Sequence, residues 1–141
     1  MRTMQMLGII PTTLLLGISI AMAQTSPPLP STLAGQYLWR SASGHRMKSI
    51  PVELTSIVVD GENVQGVVSQ YSSPAANCIS ENTPFKGTYK DGSLRIKSAP
   101  LKSQFSDGRP CGGVAMELKL DGRRASGTIG GEAYPLDLEA K

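Results

Sequence analysis

The chain contains one histidine, two cysteines and one tryptophan, and each scarcity closes a route. A Ser–His–Asp or Cys–His arrangement would have to run through His45, which sits in a Ser43-Gly44-His45-Arg46 stretch where a solvated imidazole is the simpler reading. A metal site needs clustered ligands, but the acids are scattered and no His/Cys group has ligand spacing, so no metal and no cofactor is expected. Asp60, Asp91 and Asp121 each precede a glycine in turn-like surroundings, which removes them as a carboxylate pair for glycoside hydrolysis. No glycine-rich phosphate loop opens a helix. The reading therefore leans away from an enzyme. Two Phe, one Trp and four Tyr cannot furnish the two aromatic girdles of a membrane barrel. A formal net charge of +3 is too small to indicate nucleic acid or an anionic membrane as partner.

The opening has the build of an export signal. Arg2 gives a positive start, Met6 to Met22 is largely apolar, and Ala21-Met22-Ala23 supplies the small-x-small pattern of a signal-peptidase site. The apolar stretch is interrupted by Pro11, Thr12 and Thr13 and falls short of the ~20 residues of a spanning helix. Residues 1–23 are expected to be a cleaved signal peptide. The remainder then does not span a membrane and is periplasmic or secreted. In that oxidising setting a Cys78–Cys111 disulfide is the expected use of the two cysteines. Residues 24–33, with Pro27, Pro28 and Pro30, read as a flexible leader, and residues 34–141 as a single domain.

That domain is punctuated by Asp-Gly. Asp121-Gly122 lies between two alternating segments, and the same dipeptide recurs at Asp60-Gly61 and Asp91-Gly92. Each predicts a β-hairpin with a type I′ turn. Strands follow at 35–40, 51–59, 63–69, 84–89, 93–97, 114–120, 125–129 and 134–139. Their alternation is that of a sheet wet on one face: Phe85, Tyr89, Leu94, Ile96, Met116, Leu118, Leu136 and Leu138 inward, Lys86, Lys90, Arg95, Lys97, Glu117 and Lys119 outward. The pattern slips at Thr55-Ser56, which predicts a bulge. Gly66 and Gly127 stand at the same offset from their turns, where glycine permits the sharp coiling that barrel closure needs. The first strand, Gly35-Gln36-Tyr37-Leu38-Trp39-Arg40, resembles the opening of lipocalin-type and avidin-type barrels; the rest of the chain does not share their pattern, and a single Trp does not make an avidin's aromatic box.

Eight strands in up-and-down order place all three Asp-Gly turns at one end. The longer loops at 41–49, 70–83 and 99–112 fall at the other, with Cys78 and Cys111 in two of them. The predicted fold is all-β: a small antiparallel up-and-down β-barrel of about eight strands with one disulfide, an open β-sandwich being the alternative.

Function is sought at the looped end, because loops on a rigid scaffold commonly carry it. Arg46, Lys48, Tyr71, Phe105 and Arg109 form the candidate binding rim, and Tyr37 and Trp39 the candidate interior. Two readings follow. In the first, an exported non-enzymatic binding module holds a small ligand at the disulfide-braced mouth, an eight-stranded barrel being just wide enough for filling side chains or one such ligand. In the second, the partner is an extracytoplasmic protein, as for an enzyme inhibitor or an envelope-assembly component.

Overall fold

The structure, a computed structural model, describes residues 27–74 and 77–141. The signal-peptide reading at 1–23 and the first residues of the leader lie outside these. Eight strands close a barrel: β1 (Leu33–Arg40), β2 (Met47–Asp60), β3 (Asn63–Gln70), β6 (Thr83–Lys90), β7 (Ser93–Ser98), β9 (Ala115–Asp121), β10 (Arg124–Ile129) and β11 (Tyr134–Ala140). Three two-residue strands, β4 (Ser72–Ser73), β5 (Cys78–Ile79) and β8 (Lys102–Ser103), make a separate sheet. Each barrel strand pairs antiparallel with its neighbours in the chain, and β1 pairs with β11 to close the cylinder. The up-and-down barrel is therefore the fold, and no helix lies among the described residues.

The Asp-Gly turns lie at one end but are not all of one kind. Between β6 and β7, Asp91 and Gly92 are the two central residues and both have positive φ, 51° and 77°, as type I′ requires. At the other two, Asp60 and Asp121 end their strands, paired with Asn63 and Arg124. The central pairs are Gly61-Glu62 and Gly122-Arg123, and only the glycine has positive φ, the arrangement of a type II′ turn. The aspartate there is a ladder residue, which corrects the type I′ expectation for these two turns.

The slip at Thr55-Ser56 is a bulge: the β2–β3 register shifts between Thr55 and Val58, and Ser56 has φ of 53°. It bends β2, whose first half pairs with β1 and second half with β3. Barrel curvature also draws on inward-facing glycines. A Cβ on Gly87 would lie 1.8 Å from the Arg95 carbonyl oxygen, and one on Gly127 would lie 1.9 Å from that of Glu117. Neighbouring backbones approach there more closely than any side chain allows.

The interior is filled. Leu33, Tyr37, Val52, Leu54, Val68, Phe85, Leu94, Met116, Ile129, Leu136 and Leu138 are all fully buried and join one core cluster. This is the packed outcome open to eight strands. The described part of the leader, 27–32, lies across the turn end. Leu29 packs on the core, the Tyr89 hydroxyl donates to the Pro27 carbonyl, and the Ile57 N–H donates to the Ser31 carbonyl at 3.1 Å. A groove of about 520 Å³ between leader and turns is lined by Pro27, Leu29, Ile57, Val59 and Tyr89. Leu33, assigned to the leader from the sequence, is already in β1, paired with Leu54 and Ala140.

Candidate functional site

At the other end two long connections, 71–82 and 99–114, fold onto each other. Two of their residues are Cys78 and Cys111, joined as the expected disulfide with Cα atoms 6.0 Å apart. Strand β5 lies between β4 and β8, so Cys78 pairs with Ser73 on one side and Ser103 on the other. The ladder is extended by the Ser80 N–H to the Tyr71 carbonyl at 2.9 Å and the Gln104 N–H to the Asn77 carbonyl at 2.8 Å. An exposed ion pair, Lys102–Glu81 at 3.0 Å, also joins the two connections. Ser98, buried at the foot of the second, accepts from the Val114 N–H at 2.9 Å through its Oγ and donates to the Ala99 carbonyl at 2.8 Å.

This small sheet is seated on the barrel mouth by aromatic side chains. Tyr37 rises from β1 and donates its hydroxyl hydrogen to the Ser72 carbonyl at 2.7 Å. Tyr71 stacks on it with ring centroids 5.6 Å apart, and Tyr134 of β11 lies tilted against it at 6.0 Å. Burial, with the neighbouring Tyr71, holds the Tyr37 phenol well above the ordinary tyrosine value, and burial raises Tyr71 as well. Tyr134 is raised chiefly by its hydrogen bond to the Glu132 carboxylate. The cluster is thus neutral and well packed.

The candidate residues divide accordingly. Tyr37 is interior, as expected, but it is used in packing, and Trp39 is only partly buried. Tyr71 faces inward onto Tyr37. Lys48, read as a loop residue, is on β2 opposite Trp39, because the β1–β2 ladder runs on to Arg40↔Met47 and leaves only 41–46 as loop. Arg46 is exposed in that loop beside His45, its backbone N–H held by the Ser41 hydroxyl at 3.1 Å.

Phe105 and Arg109 are brought together in one compact loop. The Arg109 guanidinium lies over the Phe105 ring, 4.9 Å from its centroid. Its Nε donates to Asp107 Oδ2 at 2.8 Å, and its backbone N–H to Oδ1 of the same carboxylate at 3.2 Å. Gly108, with φ of 72°, turns the chain between them and donates to the Phe105 carbonyl at 3.2 Å. Phe105 packs partly on the core, while Arg109 is exposed. Two residues further on is Cys111. The result is a guanidinium ion-paired to Asp107 and held on an aromatic base.

Among the described residues no group of three or more His, Cys, Asp or Glu side chains could hold a metal ion, and none forms a helix long and apolar enough to cross a membrane. Compared with protein-family models, curated proteins and solved structures, the chain has no significant match.

Proposed function

We propose that this protein is an exported recognition module that binds a second protein through the disulfide-braced end of its barrel. The observation that carries the reading is the Phe105–Asp107–Arg109 loop. It presents an exposed arginine held on an aromatic ring and a carboxylate, next to the Cys78–Cys111 bridge. Arginine and aromatic residues dominate binding hot spots, and a loop ordered beforehand avoids the entropy cost of ordering on contact. Asp107 engages the guanidinium through Nε, which leaves the terminal N–H groups for a carboxylate on the partner. The filled interior favours this reading over a small ligand held in the mouth, since Tyr37, Tyr71 and Tyr134 occupy the space such a ligand would need. Export is supported by the Arg2-to-Ala23 pattern and agrees with the disulfide.

The test is native mass spectrometry of the protein gently purified from its own extracytoplasmic compartment, followed by affinity measurement on the complex recovered. The expected result is a complex with a second polypeptide whose affinity falls by about tenfold or more in Arg109→Ala or Phe105→Ala, the loss typical of a hot-spot truncation. A small-molecule adduct without a protein partner, or a complex indifferent to both substitutions, would overturn the reading.

A further inference from the structure

The small net charge conceals a segregated one. On the outer wall formed by β6, β7 and β9, five cations project: Lys86, Lys90, Arg95, Lys97 and Lys119. The register places Lys86 directly opposite Lys97, Thr88 opposite Arg95, and Lys119 opposite Ser93. Lys86 and Lys97 are thus like charges in a directly facing cross-strand pair, an arrangement that opposes sheet pairing. Acids interrupt the wall without pairing with all of it: Glu117 and Asp121 share the outward face of β9 with Lys119. Glu62 reaches Lys90 at 3.6 Å and Glu117 reaches Arg95 at 3.9 Å, both as exposed pairs. Lys86, Lys97 and Lys119 have no ion-pair partner among the described residues. Two ion pairs elsewhere on the barrel are tighter, Arg124–Asp137 at 2.6 Å and Lys141–Glu53 at 2.9 Å.

We infer that this wall is a second binding surface, separate from the looped end, and that it takes a linear anionic polysaccharide bearing sulfate or uronate groups. Adjacent strands lie about 4.8 Å apart and alternate residues along a strand about 6.8 Å apart, so the cations form a two-dimensional grid matched to a chain with repeated negative charges. The ladder positions between them are Thr88, Ser93, Ala115 and Glu117, without an aromatic or large aliphatic side chain. A protein partner would want an apolar anchor at the centre of such a face, and a single-stranded nucleic acid would want aromatic rings on which to stack. This face offers neither, and it offers what a hydrated polyanion uses: closely spaced ammonium groups and hydroxyls.

The experiment measures the salt concentration that elutes the purified protein from immobilised heparin, and the dissociation constant for a heparin oligosaccharide as a function of salt. Wild type should be retained. Lys86→Gln/Lys97→Gln should elute earlier, bind about tenfold more weakly and show a shallower salt dependence, because each lost contact releases fewer counterions. Arg40→Gln/Lys141→Gln, which removes the same charge from the far side of the barrel at the ends of β1 and β11, should elute with wild type. Far-ultraviolet circular dichroism and the melting temperature of each variant establish that the barrel is intact. Lack of retention by wild type, or equal loss in the two double variants, would overturn the inference. Competition by polyglutamate as strong as by heparin at equal charge would overturn the polysaccharide assignment and point to an acidic protein surface instead.

Discussion

The Cys78–Cys111 bridge closes a loop whose ends are 33 residues apart in sequence, and Cys78→Ala/Cys111→Ala removes it without leaving a polar atom in either buried site. In the chain-entropy account a loop of that size restricts the unfolded ensemble by about 3.7 kcal/mol. The barrel ladders contain neither cysteine: β6 and β7, which lie inside the closed loop, keep all their partners in β3 and β9. The native barrel should therefore persist, and the loss should appear as stability. At roughly 3–5 °C per kcal/mol for a domain of this size, the melting temperature should fall by about 10–20 °C, followed by far-ultraviolet circular dichroism with and without reductant. The damage should also be local. Amides of β4, β5 and β8, together with Gln104, should lose hydrogen-exchange protection in the variant at temperatures where β9 and β10 retain theirs. A melting temperature unchanged within 2 °C would refute the entropic argument. A chain already unfolded at 25 °C would refute the claim that the barrel stands without its brace.

Three further outcomes test the packing. Gly87→Ala or Gly127→Ala must drive two backbones apart, since the added Cβ would sit within 2 Å of a carbonyl oxygen. Each should cost about 2–4 kcal/mol, as overpacking plus weakened ladder bonds, whereas Gly131→Ala, which faces open space, should stay within about 0.5 kcal/mol in urea titrations. Ser98→Ala strips the partner from the Val114 N–H and should cost about 1–3 kcal/mol, with exchange quickened first at residues 99–114. The pH dependence has a defined sign. Burial favours the neutral phenols of Tyr37, Tyr71 and Tyr89 and raises them above 10.0. The unfolded chain ionises first, so stability is complete below pH 10 and is lost as the pH rises towards the folded-state values. Urea midpoints should fall steeply between pH 10 and pH 11.5 in wild type and less steeply in Tyr37→Phe, and absorbance at 295 nm should show these tyrosines titrating late.

The architecture is legible in the chain because hairpins write themselves locally. Asp-Gly between alternating segments sets the order of strands, and strand parity alone puts Cys78 and Cys111 at one end. The bulge is legible too, since Thr55-Ser56 breaks a period of two. What escapes has a common cause. Strands β4, β5 and β8 are two residues each, too short to carry a period, and their pairing is fixed by the bridge and the mouth beneath them. The turn type escapes because Asp-Gly suits both registers, and only the ladder decides whether aspartate belongs to the turn. Lys48 reads as loop because Met47-Lys48-Ser49 is exposed on both faces. The tyrosine cluster leaves a usable signal: Tyr37, Tyr71 and Tyr134 all fall at the looped end by strand parity, and sorting inward residues by end groups them. The Lys86–Lys97 pair is equally within reach, since a two-residue Asp91-Gly92 hairpin sets those two positions opposite each other.

The seam between β1 and β11 sets the Leu33 Cα opposite that of Ala140, and the Lys141 N–H reaches the Thr32 carbonyl at 3.2 Å. All other barrel ladders join strands consecutive around the meander, so this seam alone requires distant parts of the chain to meet. Folding of such a molecule is a row of hairpins that can zip in any order, finished by one long-range event, and the entropic cost of loop closure is concentrated there. By the same geometry the cylinder has no privileged starting point. A circular permutant joined by a short linker from residue 141 to residue 32 and opened at Gly61-Glu62 would keep every ladder, and would move the late step from the β1–β11 seam to the β2–β3 seam.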